Sequence, residues 1–288
     1  MCIRDRSSLC YGLNNPLAAL AAQNGIPTTF SVLSRATFMF VISLIFAITG
    51  KLNFKIPNDV RLHVIIMAIT TALINLCYVG SINFISVSLA AIIFFTFPVQ
   101  ILLVSIIKGS QNIRTSDVII FAVVFIGLIF VIVPDFNNID PFGVLLAGLS
   151  SVSATFLYFA AGVASRKLSP IMLGFWVHLF VLPVLAVSFL ILSPYVEINE
   201  LSSYLPVLIM SLCYVGAYYF QMLSLKFSSV LISGLFFNTE PLLTAVAAAL
   251  ILDERLLFSQ YIGGISVSYT HLRAHETLRY LVCRLLLE

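Results

Sequence analysis

Charged residues are missing from four long stretches of the chain, and those stretches predict its elements. No Asp, Glu, Lys or Arg occurs from Leu62 to Ile107, from Pro141 to Ser165, from Leu168 to Val196 or from Leu201 to Leu225. A helix that crosses a bilayer needs about 20 mostly apolar residues. Three of these windows therefore hold one such helix each, and the first, 46 residues long, holds two. Along the whole chain the pattern predicts ten spans, at 9–23, 27–49, 62–82, 87–107, 117–133, 142–164, 171–192, 204–224, 229–251 and 256–268. Short connections carry turn residues, as in "NGIP" at 24–27, "PDFNNIDP" at 134–141 and "SP" at 169–170. Backbone in lipid must pair within the protein, which leaves helices or a closed barrel. Apolar runs of this length, with no alternation of polar positions, exclude the barrel. The expected fold class is an all-α integral membrane protein.

Composition agrees. Hydrophobic residues make up 60% of the chain, charged residues 9%, and the mean hydropathy is +1.08. A soluble domain carries about 25% charged residues, so this chain could not cover a water-facing surface. The net charge is only +3, but its distribution sets an orientation. With the N-terminus inside, the alternation of spans puts Lys51, Lys55, Arg61, Lys108, Arg114, Arg166, Lys167 and Lys226 in inward connections. Arg255 then stands outside with Asp135, Asp140, Glu197, Glu200, Asp253 and Glu254. This follows the rule that basic residues stay on the cytoplasmic side, and it predicts a multi-pass protein of the inner or plasma membrane with both termini cytoplasmic. Pro16 and the Asn14–Asn15 pair break up the first apolar segment, so a cleavable signal peptide is not expected there. Cys2, Cys10, Cys77, Cys213 and Cys283 show no metal-ligand or redox spacing and read as small apolar residues.

An internal repeat organises the spans. A shift of 143 residues lays "INFISVSLAAIIFFTFP" (82–98) on "LKFSSVLISGLFFNTEP" (225–241), with six of seventeen positions identical. The same shift lays Pro27 on Pro170 and Arg35 on His178. A competing match of "CYVG" at 77–80 with 213–216 needs a shift of 136, and the longer match is preferred. Each copy holds five spans, an odd number, so the second enters the membrane from the opposite side. Ten transmembrane helices as two inverted five-helix repeats form an architecture of secondary transporters, with a site near the midplane between the halves.

Certain residues also carry a resemblance. "TEPLLTAVAAALILDERLLFSQYIGG" resembles the last two helices of an EamA-type repeat of the drug/metabolite transporter superfamily, and "IPTTFSVLSRATFMFVISL" resembles that family's second helix with its Pro and buried Arg. The resemblance implies repeats at 9–137 and 140–267, ten helices, cytoplasmic termini and transport of small metabolites or drugs, often as efflux. The first repeat departs from the family pattern. Phe97 replaces the frequent Glu before the Pro, and "KGSQNI" replaces the acidic exit. The termini look foreign: residues 1–7 ("MCIRDRS") and 268–288 resemble translated library-adapter sequence, which would truncate the tenth helix near Ser266. The alternative is a genuine basic tail in which Arg273, Arg279 and Arg284 suit anionic lipid.

Candidate site residues follow from the cost of polarity in lipid. A charged group at a helix centre costs about 2.5–3.5 kcal/mol even on the lenient insertion scale, so Glu240 and Arg35 are expected to face the bundle interior. They would serve there either as a packed structural pair or as part of the substrate path. Pro98 and Pro241 each remove a backbone hydrogen bond and predict kinks. Asn14, Asn15, Asn75, Tyr78, Tyr214, Tyr218 and Gln221 recur at helical spacing and can share faces. Trp176, His178, Asn238 and Gln100 complete the set. Gly143, Ala147, Ser151 and Ala154 form a small-residue stripe suited to close helix packing.

No GxSxG, HExxH, Walker loop or GxGxxG occurs, so an enzyme is not expected, nor is a metal or other cofactor. Sparse basic residues give no support to nucleic-acid binding. The expectation is a secondary transporter of small polar metabolites or drugs, with a channel or receptor as the rival. The repeat favours the transporter, and the sequence specifies no oligomeric state.

Overall fold

In a computed structural model the described residues are 3–109, 115–137, 139–192, 200–253 and 255–268. They are helical throughout, with no strand among them. In chain order the helices are α1 (Ile3–Gly12), α2 (Asn14–Gln23), α3 (Thr28–Thr49), α4 (Arg61–Ser81), α5 (Val87–Phe94), α6 (Phe97–Ile107), α7 (Thr115–Ile132), α8 (Pro141–Ala164), α9 (Pro170–Leu192), α10 (Leu205–Phe227), α11 (Val230–Phe237), α12 (Glu240–Ile251) and α13 (258–268). Seven segments are long and apolar enough to cross a bilayer: α3, α4, α5 with α6, α8, α9, α10, and α11 with α12. The apolar part of α7, the α1–α2 pair and α13 are shorter. The expected tail at 269–288, and Arg114, Glu197 and Glu254, lie outside the described residues.

Three predicted spans are interrupted rather than continuous. The first begins at Ile3, earlier than expected, and breaks at Leu13. The fourth and ninth, for which proline kinks were expected, are each split into two helices. Their splits match in detail. Ser86 and Ser229 cap α5 and α11, each side chain accepting a hydrogen bond from the backbone N–H three residues on, at 3.2 and 3.3 Å. Eight helical residues follow in each. Thr96 and Thr239 then turn their hydroxyls back to the carbonyls of Ile93 and Phe236, both at 2.7 Å. Pro98 and Pro241 fall in the first turn of α6 and α12, where a missing N–H costs nothing. All of these correspondences are 143 residues apart.

The close packing pairs mostly join the two halves of the sequence. Helix α4 lies on α8, α3 on α9, and α1 on α10, with α10 also on α3 and α4 on α9. Small buried residues on α8 (Gly143, Ala147, Ser151 and Ala154) allow the close approach. A Cβ on Gly143 would come within 2.8 Å of Phe84 Cβ, just before α5. At the far end of α8, a Cβ on Gly162 would come within 2.6 Å of Val230, the first residue of α11. The split helices therefore start at opposite ends of α8.

The connections gather accordingly. At one end Lys167 pairs with Asp59 at 3.7 Å. At the other, Ser86 Oγ donates to the Asp135 carbonyl at 3.0 Å, and Gln23, Asn24, Glu200 and Ser203 line one shallow cleft. Ile48, Leu62, Ile107, Phe156 and Ile191 are all more than half exposed on the outer faces. Such a continuous apolar surface is the lipid contact of a membrane protein. Cys10, Cys77 and Cys213 are free thiols.

Candidate functional site

Residues from both halves meet at a central cavity of about 160 Å³. Helix α4 contributes Thr71, Asn75 and Tyr78, and α10 contributes Tyr214, Tyr218 and Gln221. Both sets have the i, i+4, i+7 spacing that places three side chains on one helix face. Tyr11 and Asn15 stand four apart across the α1–α2 junction, as do Ala154 and Tyr158 on α8. Phe94 and Phe97 flank the first helix break, Phe237 and Glu240 the second, and Arg35 enters from α3.

One relationship runs through the lining. Under the 143-residue shift Tyr11 falls on Ala154, Asn15 on Tyr158, Thr71 on Tyr214, Asn75 on Tyr218, Tyr78 on Gln221, Phe94 on Phe237 and Phe97 on Glu240. Both members of every pair line the cavity. The exception is Arg35, whose counterpart His178 lies outside it. The shift of 136 produces no such mapping, so the longer match is the structural one in this region.

Arg35 is held from two sides. Its Nη2 donates to Asn75 Oδ1 at 2.6 Å, and its guanidinium lies 5.2 Å from the centroid of the Tyr214 ring. Asn75 is fixed in turn by donating its amide to the Thr71 carbonyl at 2.8 Å. Tyr214 is fixed by His178, which is fully buried. His178 Nδ1 lies 2.9 Å from the Gly174 carbonyl, an atom that can only accept, and so carries the proton. Its Nε2 is then left to accept from the Tyr214 hydroxyl at 3.1 Å. Arg35 and its pseudo-equivalent His178 thus act on the same tyrosine from different sides.

Glu240 is the first residue of α12, and Thr239 before it makes no side-chain cap. The unpaired N–H groups of a helix N-terminus favour a carboxylate there. Among the described residues Glu240 has no hydrogen-bond or ion-pair partner, and the only salt bridge among them is Lys167–Asp59. The packed Arg35–Glu240 pair considered from sequence does not form; Asn75 and Tyr214 take its place around Arg35. Aromatic rings surround the acid. Tyr11 packs on Phe237 at 5.4 Å and on Tyr214 at 6.0 Å, and Tyr158 packs on Phe237 at 5.6 Å. The Tyr11 hydroxyl donates to Gln221 Oε1 at 2.9 Å.

Of the residues singled out from sequence, Asn15, Arg35, Asn75, Tyr78, Tyr214, Tyr218, Gln221 and Glu240 line the cavity. Asn14 does not; it is buried and donates to the Cys10 carbonyl. Gln100 is engaged between α6 and α8, donating to Thr96 and Ser151 and accepting from Thr155. Trp176 stacks between Phe175 and Phe180, and Asn238 is buried in the second helix break. Tyr11, Thr71, Tyr158 and the phenylalanines were not singled out. The repeat shift could have found two of them, since it carries Asn15 to Tyr158 and Tyr214 to Thr71.

The family model for the EamA-like transporter family matches twice, at residues 7–133 and 141–268. The chain belongs to the EamA-like transporter family. Its two-repeat organisation and membrane location follow from that membership and from the apolar helices, and members of the family are generally not enzymes. One solved crystal structure shares the fold with a TM-score of 0.76 at 16% identity, over 93% of this chain and 96% of the other. No curated protein matches the chain significantly. Within the EamA frame, Glu240 keeps the acid that precedes the proline of the second repeat, and Phe97 fills the same place in the first.

Proposed function

We propose that this EamA-like protein is a secondary transporter of small polar metabolites or drugs, working by alternating access between two inverted five-helix halves at 9–137 and 140–267. Ten spans, an inner-membrane location, cytoplasmic termini and export complete the reading. The observation that carries it is the cavity lining, which maps onto itself under one shift of 143 residues. A site shared by two related halves can open to either face by rocking one half against the other. Supporting the inversion, α5 and α11 start at opposite ends of α8. The helix breaks beside Pro98 and Pro241 supply flexible points at equal depth in both halves, next to the cavity. Arg35, Glu240 and the polar residues of α4 and α10 are the proposed substrate path. Gln100, His178, Asn14, Trp176 and Asn238 support its walls.

Counterflow in proteoliposomes tests this reading against the channel alternative. Vesicles containing the purified protein are loaded with single solutes from a panel of amino acids, nucleobases and amphiphilic cations. A transporter accelerates uptake of labelled solute when the same solute is present inside. Flux without such acceleration would mark a channel, and absence of flux for the whole panel would favour a receptor.

A further inference from the structure

Resting on the transport reading above, we propose that the cavity binds a small zwitterion, with its carboxylate on Arg35 and its ammonium group on Glu240. The two side chains offer opposite charges to one cavity and do not neutralise each other. A guanidinium has five N–H donors, and Asn75 takes one of them. The remaining donors suit a carboxylate, which an arginine can hold through two parallel bonds. Glu240 has no partner among the described residues, and the aromatic rings beside it favour an ammonium group. A solute carrying only a positive charge would leave Arg35 unmatched, and one carrying only a negative charge would leave Glu240 unmatched. In a site shielded from water either mismatch is costly. A zwitterion matches both and leaves the occupied cavity neutral.

Two further observations point to a polar ligand of limited size. Thr71 Oγ1 and Tyr218 Oη are buried without a hydrogen-bond partner, and both residues line the cavity. Native structures rarely leave such atoms unpaired, so a bound solute is their natural partner. The volume, about 160 Å³, is close to that of an engineered cavity that holds benzene, about 150 Å³. Phe94, Phe97 and Phe237 form the apolar part of the wall. A compact molecule with an apolar body and both charges fits this description, and a drug-sized molecule exceeds it.

The test uses two matched trios with the intact protein in nanodiscs: leucine, isoamylamine and isocaproate, and phenylalanine, phenethylamine and hydrocinnamate. Each trio keeps the hydrocarbon and removes one charge at a time. At least one zwitterion is expected to bind about tenfold tighter than both of its partners. Arg35→Gln should erase the preference over the amine, and Glu240→Gln the preference over the acid. If Arg35→Gln does not fold, Arg35→Lys should weaken zwitterion binding while leaving amine binding unchanged; equal weakening of both overturns the proposal. So does an amine or acid that binds as tightly as its zwitterion, or failure of both zwitterions to bind protein of normal melting temperature. Counterflow separates the two readings. Exchange of neutral or singly charged solutes alone removes the zwitterion and keeps the transporter, whereas absence of any exchange removes both.

Discussion

Phe97 and Glu240 hold the same place in the two repeats: each opens the helix after a break, each precedes a proline, and each lines the cavity. The fold tolerates either residue there, so the carboxylate is not needed to form the break. Its role lies in what the cavity contains.

Glu240→Gln keeps the shape and removes the charge. A hydrogen bond to a charged group contributes about 1.5–3 kcal/mol, which corresponds to roughly ten- to a hundredfold in affinity. The variant is therefore expected to insert and melt normally while its counterflow activity falls by about that factor or its pH dependence changes. Wild-type rates across pH 5 to 8 would remove Glu240 from the mechanism.

His178 is expected to act on stability through Tyr214. His178→Leu removes the acceptor of a buried tyrosine hydroxyl, and leaving such a group unpaired costs about 1–3 kcal/mol. His178→Gln can restore an acceptor and should recover part of the loss. Thermal melting in detergent measures both. Equal destabilisation by the two variants would show that ring packing against Tyr218, 5.1 Å away, matters more than the hydrogen bond.

Gly12 is a point of close approach between α1 and α12. A Cβ there would stand 2.7 Å from Leu243 Cβ and 3.2 Å from the backbone nitrogen of Thr244. The equivalent position in the other half is Thr155, which bonds Gln100, the counterpart of Leu243. Overpacking costs about 1–3 kcal/mol, so Gly12→Val should lower the melting temperature, and Gly12→Val with Leu243→Ala should recover part of it. A melt unchanged by Gly12→Val would mean that the α1–α12 contact is loose.

Much of this was legible from the residues, for reasons that can be stated one by one. Charge-free windows located the long helices because lipid removes the alternative of a solvated loop. The repeat shift was found from six identities and also governs Asn75 with Tyr218, where the residue types differ. Glu240 and Arg35 were placed inside by desolvation cost alone. Their partners were not: a buried cation can be held by an amide and an aromatic face, and nothing in spacing favours Asn75 and Tyr214 over Glu240. Helix breaks in place of kinks were missed because proline alone does not specify a break. Here Thr96 and Thr239 turn back on carbonyls three residues behind them and close each first segment.

The orientation of the molecule can be tested directly. Lys167 pairs with Asp59, and Lys108 lies over Phe159 on the far part of α8, so these basic connections gather at one end of the bundle. Asp135 is tied to Ser86 and Ser88, and Gln260 donates to the Val131 carbonyl, which brings the connections around 86, 135 and 257 together at the other end. Basic residues are retained on the cytoplasmic side, so the end with Lys51, Lys108, Lys167 and Lys226 is expected inside and the end with Asp135 and Asp253 outside. Single cysteines at 108 and 253, in a background with the native cysteines replaced, should respond oppositely to an impermeant thiol reagent in intact cells. Labelling is expected at 253, an exposed turn position with φ of 56°, and at 108 only after the membrane is opened. The reverse pattern would turn the molecule over, leaving the cavity and its internal symmetry intact but exchanging the side from which a solute first reaches Arg35.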